Sequence, residues 1–528
     1  MTVLDPISLE ILANGLRSIT DETFAALMKS AYSSNIKERH DHSTAIMDAR
    51  GRLIAQAEQS LPIHIASMSG LMTCLLARYG DDIEEGDIII ANDPHIAGGT
   101  HLPDINMAAP VFAQGRIVAW VCNIAHHADV GGMAPGSMAG GMSEIYQEGL
   151  RVPVIKLFRQ GVLQSELFDL VLLNVRLPNE RRGDYFAQVA ACNLGLRRMV
   201  ETIEAHGAET VLAVFEDMLA RTAGRMADAV RAIPDGVYRF EDVMDDDGLE
   251  ARNIPIVLTV EKQGDKARFD FSGTAPQVPG NINVTMNATI AAVTYTLKAL
   301  LDPEVPNNQA VIDCVEVSAP RGSLLNAVFP APVAARAHTC QRIIDVVFGA
   351  LAPAMPDRAP AAGNGANTTA VFSGIDPRTG EGYLYLETLG GGAGGWPGGH
   401  GKDGVQVGIT NTSNLPVEAI ETEYPLMVEC YGLRDGSGGT GRFRGGRGLY
   451  RVVRPVGHDC LFNGAGERFT NAPWGLAGGG PGGCGRFALL DKAGAETPLE
   501  TKPSGIIVRE GEEVRVETPG AGGFGSPS

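Results

Sequence analysis

The chain contains no C-x-x-C pair. Its eight cysteines (Cys74, Cys122, Cys192, Cys314, Cys340, Cys430, Cys460 and Cys484) stand singly, which excludes a thiolate zinc ribbon and argues against a disulfide scaffold. Reduced thiols in a cytoplasmic protein are the expectation. No stretch reaches the roughly 18 uninterrupted apolar residues of a membrane span. Met1-Thr2-Val3-Leu4-Asp5-Pro6 has neither the basic nor the apolar region of a secretion signal. Basic clusters are also missing: 43 Lys and Arg face 62 Asp and Glu, a net charge of −19, so no face is suited to neutralising nucleic-acid phosphates. There is no G-x-S-x-G nucleophile elbow. A G-x-x-x-x-G-K-[ST] phosphate loop is absent too, since Asp403 follows Gly401-Lys402 and Trp396 stands where the first Gly belongs. No fixed-period repeat appears, which excludes a solenoid or propeller.

What is present points to several packed units. A chain of 528 residues exceeds one hydrophobic core, and two to four units are expected. Residues 7–34 and 64–79 carry apolar side chains at helical spacing. Residues 44–55 and 109–126 read as hairpins and 86–92 as a buried strand. Residues 180–232 hold two long helical patterns. Strands are expected at 237–240, 254–260 and 267–271, a helix at 287–302, and further strands after it. Of the 66 glycines, dense runs fall at 390–401 and 478–485. Interior Gly costs a helix about 1 kcal/mol, so strands and tight turns should dominate the C-terminal third. Segregated helices and strands favour a multi-domain α+β fold. The expected division is 1–235 as a metal-binding catalytic domain, 236–455 as a central α+β domain with a glycine-rich loop, and 456–528 as a β-rich segment.

Seven of the eleven histidines (His40, His42, His64, His95, His101, His126 and His127) lie within the first 127 residues, so any imidazole chemistry belongs there. The segment from Asn92 to Asp104 follows an apolar strand and is dense in ligand-type atoms. His101 and Asp104 are three apart, and Pro103 stiffens the turn so that both can converge on one ion. The strand at 117–124 delivers His126 and His127, with Asp129 just beyond. On a strand these two histidines point oppositely, so one is a ligand and the other is not; spacing does not choose. Imidazoles with carboxylates suit Zn, Mn or Fe, and such an ion makes a hydroxide nucleophile from bound water. A lone histidine would more often be a satisfied structural residue; the cluster argues otherwise. The 390–401 run is the one place where backbone N–H groups could cradle an anion, although tight turns explain it more simply.

Several motifs run in order along nearly the whole chain. They are Glu38-Arg39-x-Asp41-x-Ser43, Asn92-Asp93-Pro94 with Gly98-Gly99-Thr100-His101-Leu102-Pro103-Asp104, and His126-His127-Ala128-Asp129-Val130-Gly131-Gly132. Gln147-Glu148-Gly149-Leu150, Gly183-Asp184, Ser413-Asn414-x-Pro416-x-Glu418 and Arg442-x-Arg444-Gly445-Gly446-x-Gly448 follow. In these the sequence resembles the hydantoinase B/oxoprolinase family. The resemblance implies a divalent ion held by Asp41, His101, Asp104 and His126, and thereby picks His126 over His127. It implies supporting or proton-transfer roles for His127, Asp129 and Glu148. It further implies a hydantoinase A-type partner that binds ATP, in a hetero-oligomer that opens a small cyclic amide. The partner would phosphorylate the amide oxygen and metal-bound hydroxide here would attack the activated carbon. Two alternatives stand beside this: the α-type subunit of an ATP-dependent ketone carboxylase, and a metal-stabilised scaffold that only docks the ATPase.

Overall fold

The computed structural model describes residues 5–527. Helix α1 (Pro6–Ser30) starts where the Asp5 carboxylate accepts the N–H groups of Ile7 and Ser8, an N-cap. It stops four residues short of the apolar pattern. The N–H groups of Tyr32 and Ser33 instead go to Asp184, at 2.8 and 3.0 Å, and the short α2 (Ser34–Lys37) follows. The hairpin β1 (His42–Asp48) and β2 (Leu53–Gln56) leads through a 3-10 turn at Pro62–His64 into α3 (Ile65–Tyr79). Then come β3 (Ile88–Ala91), β4 (Asp104–Ala113) and β5 (Arg116–His126), β6 (Ile155–Arg159) and β7 (Val162–Leu163). The β4–β5 turn, Gln114-Gly115, has positive φ at both residues, the geometry that matches strand twist in a two-residue hairpin. Helices α4 (Ser165–Leu173), α5 (Pro178–His206) and α6 (Ala208–Arg231) complete this part.

The seven strands form one antiparallel sheet, ordered β2-β1-β5-β4-β3-β6-β7. Alternating side chains of β1 and β5 serve both faces. Ile46 and Val121 pack with Leu16 of α1, Met199 of α5 and Phe215 of α6, whereas Met47, Trp120 and Cys122 pack with Met68, Met72 and Leu75 of α3. A sheet covered on both faces has little freedom to shift register, which holds the ends of β4 and β5 still.

The middle of the chain builds a second sheet, β11-β10-β9-β8, from β8 (Gly236–Asp246), β9 (Arg252–Gln263), β10 (Lys266–Asp270) and β11 (Glu316–Ser318). Helices α7 (Met286–Leu301) and α8 (Gln309–Ile312) lie between β10 and β11. Where further strands were expected, the chain forms α9 (Arg336–Leu351), a helix with nearly every residue buried. Its polar residues His338, Gln341, Arg342 and Asp345 recur at helical spacing and are buried with the rest. Its core joins Ile343, Val346 and Val347 to Phe269 and Val293.

Toward the C-terminus come β12 (Thr369–Ile375), β13 (Gly382–Thr388), α10 (Val417–Glu423), β14 (Leu426–Leu433) and β15 (Leu449–Pro455). They are followed by β16 (Cys460–Ala465), β17 (Arg486–Leu490), β18 (Glu496–Pro498), β19 (Ile506–Val508) and β20 (Glu513–Glu517). The sheets β13-β12-β16-β19 and β14-β15-β20-β17-β18 each combine strands from before and after residue 455. The glycine runs lie backbone against backbone: Gly446 N–H donates to Ala393 O at 2.8 Å and Gly480 N–H to Thr440 O at 2.7 Å. A Cβ on Gly401 would sit 1.8 Å from Ala393 O, and one on Gly446 1.9 Å from Lys402 O, so no other residue fits there. The fold is therefore α+β in several units. Among the described residues no helix is long and apolar enough to cross a membrane.

Candidate metal centre

Asp104 opens β4 and His126 closes β5, and the two face each other in register. His101 sits in the loop just before, whose carbonyl accepts the Asp104 N–H at 3.3 Å. The sheet end thus gathers three side chains: His101 Nε2 lies 2.9 Å and His126 Nδ1 3.2 Å from the same oxygen, Asp104 Oδ1. All three residues are buried. Among the described residues they are the group of histidines and carboxylates close enough to share one ion.

The second carboxylate oxygen is held from behind. Arg336 Nη2 donates to Asp104 Oδ2 at 2.6 Å, Thr100 Oγ1 donates to it at 3.1 Å, and Arg336 Nε donates to Thr100 Oγ1 at 3.0 Å. Burial by itself would raise the Asp104 pKa, but His101 and Arg336 outweigh it and hold it well below the usual carboxylate range. His101 moves the other way: burial first, then Arg336, pushes it down to about 4, so the ring is neutral near pH 7. Its Nδ1 lies 2.9 Å from the carbonyl of Ala334, which can only accept, so Nδ1 carries the proton and Nε2 the lone pair. A lone pair and a carboxylate oxygen 2.9 Å apart repel unless a cation lies between them. His101 Nε2 and His126 Nε2 are both buried without a hydrogen-bond partner, which is costly in a dry interior. Two imidazoles and a carboxylate are a donor set for a divalent ion such as Zn, Mn or Fe.

Asp41 lies on the wall of the same narrow cavity, with His64, His101, His126, Asn367 and Thr410. Its backbone carbonyl accepts the His126 N–H at 3.0 Å, but its carboxylate is not part of the close group of three. His127 follows the strand end and turns away from the cavity. Its Nε2 pairs with Gln188 Oε1 at 2.9 Å, and its ring packs 4.4 Å from that of Tyr185. Burial pushes its pKa down to about 4, so it is a neutral anchor. Asp129 is a loop clasp: it accepts the N–H groups of Gly131, Gly136 and Arg176 and pairs with the Arg176 guanidinium at 2.9 Å.

Glu148 stands one step back from the His101–Asp104–His126 group. Its Oε1 accepts the N–H groups of Val333 and Ala334 at 2.6 and 2.7 Å, and the Ala334 carbonyl is the one that fixes His101. Burial pushes the Glu148 carboxyl up to about 8, against the pull of those two N–H groups. Three residues at the centre had no role in the sequence reading: Arg336, Thr100 and His64. Arg336 stands 232 positions from Asp104, so local pattern gave no sign of the pairing. Thr100 lay inside the quoted motif but its hydroxyl had no evident target.

The model of the family described as hydantoinase B/oxoprolinase matches residues 5–527. A caprolactamase subunit beta from Pseudomonas jessenii is 32% identical over 100% of this chain and 92% of its own length. A 5-oxoprolinase of Arabidopsis thaliana is 35% identical over 99% of this chain, which spans only 42% of that longer protein. Among solved structures, the ATP-dependent caprolactamase of P. jessenii superposes with a TM-score of 0.92 at 29% identity, covering 99% of this chain and 92% of that one. A nucleotide-free acetone carboxylase shares the fold, with a TM-score of 0.88 at 19% identity over 99% of this chain and 76% of that one. An α+β chain with a buried His–Asp–His group able to hold a metal ion is the class these features define. The chain belongs to the hydantoinase B/oxoprolinase family.

Proposed function

We propose that this chain is the ion-holding subunit of an ATP-dependent cyclic amide hydrolase. The observation that carries the reading is the buried meeting of the His101 Nε2 lone pair with the Asp104 carboxylate, an arrangement that calls for a cation. His101, Asp104 and His126 would hold the ion, with Asp41 as the fourth ligand from the cavity wall. A divalent ion there supplies Lewis acidity to water and to a carbonyl group. The chain's own residues do the rest. Arg336 and Thr100 keep Asp104 ionised and aimed, the Ala334 carbonyl sets the His101 tautomer, and Glu148 holds that peptide in place. The surrounding apolar residues exclude bulk water, which strengthens each of these interactions.

The chain has no phosphate loop, and the Pseudomonas relative is named as a subunit. Both support placing ATP on a separate A-type partner in a hetero-oligomer, with amide activation there and hydrolysis here. Eight free thiols suit a reducing compartment, so the complex is expected in the cytoplasm. Co-purifying the chain with its A-type partner and screening cyclic amides for substrate-dependent ATP hydrolysis tests the reading. Turnover of a hydantoin or lactam supports it; activity confined to ketones with bicarbonate would replace it with carboxylation. ATP-dependent hydrolysis that survives removal of the ion would leave only the scaffold role.

A further inference from the structure

His64 stands in the wall of the ion cavity, in the 3-10 turn ahead of α3. It differs from His101 in one respect that decides what it can do. Its Nδ1 lies 2.8 Å from Ser43 Oγ. That hydroxyl already accepts the Leu61 N–H at 2.9 Å, and among the described residues it has no other acceptor for its own proton. Ser43 therefore donates to Nδ1, which must carry the lone pair, and the imidazole proton sits on Nε2. The nearest carboxylate oxygen to Nε2, Asp104 Oδ2, is 3.8 Å away and is already served by Arg336 and Thr100. That distance is too long for a hydrogen bond. Two histidines of one cavity thus hold opposite tautomers. His101 turns a lone pair inward, as a ligand must; His64 turns an N–H inward, as a ligand cannot. Asn367 lines the same cavity with its carboxamide oxygen buried and unpartnered, so the wall also offers an acceptor. A –CO–NH– group needs a partner of each kind.

We propose that His64, held as its Nε2–H tautomer by Ser43, donates a hydrogen bond to the reacting oxygen of the amide substrate, with Ser43 as its positioning residue. This rests on the hydrolase reading above. The donor is fixed before substrate arrives, so it can favour negative charge developing on that oxygen without reorganisation.

Two measurements on the chain in complex with its A-type partner test the proposal. Histidine-labelled ¹⁵N–¹H spectra of the complex, with His64→Gln assigning the signals, should show His64 protonated at Nε2 and His101 at Nδ1. Kinetics should show His64→Leu lowering kcat by about a hundredfold or more with ion content by elemental analysis unchanged. His64→Gln, which keeps an N–H at about the same reach, should recover most of that loss. Ser43→Ala should mix the His64 tautomers and lower kcat, and Ser43→Thr should restore both. Protonation of His64 at Nδ1, loss of the ion in both His64 variants, or an unchanged kcat in a folded His64→Leu would each overturn the proposal. A wild-type complex that opens no cyclic amide would instead sink the functional reading, and the spectrum would still decide which proton His64 presents.

Discussion

A single oxygen, Asp104 Oδ1, organises the centre, and the residues behind it decide what mutations can report. Asp104 also pairs with the buried Arg336. Replacing it with Ala would leave a guanidinium uncompensated, at a cost of about 3–5 kcal/mol; such a variant confuses ion loss with unfolding. His101→Ala is the cleaner probe: it should abolish ion binding by elemental analysis while circular dichroism and gel filtration stay as in the wild type. Wholesale unfolding of that variant would favour a structural ion. Arg336→Met should weaken ion affinity by about 10–100-fold, read by competition with a chelating dye. Glu148 has a carboxyl raised to about 8 when folded against 4.5 unfolded. Between those values the unfolded chain releases a proton that the folded chain keeps, so this group's contribution to stability falls as pH rises from about 4.5 to 8. In Glu148→Gln, whose amide oxygen can accept the same two N–H groups, denaturant titrations across that range should lack this part of the slope. An unchanged pH slope would count against the assignment.

Elements were legible where one face is polar and the other buried. The helices α1, α3, α5 and α6 and the two N-terminal hairpins followed the spacing of their apolar residues closely. The α1 end did not, because the Tyr32 N–H goes to the carboxylate of Asp184, 152 positions away. Helix α9 was missed although His338, Gln341, Arg342 and Asp345 recur in it at helical spacing, and with it went Arg336. His101 and Asp104 could be paired by their spacing alone. Spacing left His126 and His127 open and the resemblance chose His126; the register of β4 against β5 sets His126 opposite Asp104. The glycine runs were read as turns between strands, and the structure adds why glycine is required. Gly401→Ala drives a Cβ into Ala393 O and should cost about 2–4 kcal/mol. Gly224→Ala in α6, where nothing lies within 4 Å of the added carbon, should stabilise by about 0.5–1 kcal/mol. Thermal melts of the pair that moved in the same direction would contradict this account of the glycine segments.

At the scale of the whole molecule, the centre is assembled from distant parts of the chain. Residues as far apart as Asp41 and Ala465 line one cavity. A buried network of charges ties the middle of the chain to its end: Arg468 pairs with Asp242 and Asp345 at 2.7 Å each, and Lys502 with Glu467 at 3.0 Å and Asp246 at 3.2 Å. No local pattern announces such a closure, since antiparallel neighbours hundreds of residues apart leave no period in the sequence. The centre thus draws on residues from most of the chain. The most direct test of the account is the ion itself. The chain purified with its A-type partner should hold one divalent ion per chain; removing it with a chelator should abolish cyclic-amide hydrolysis, and adding it back should restore the activity. Full ATP-dependent hydrolysis in a preparation shown to be free of the ion would contradict the account at its centre.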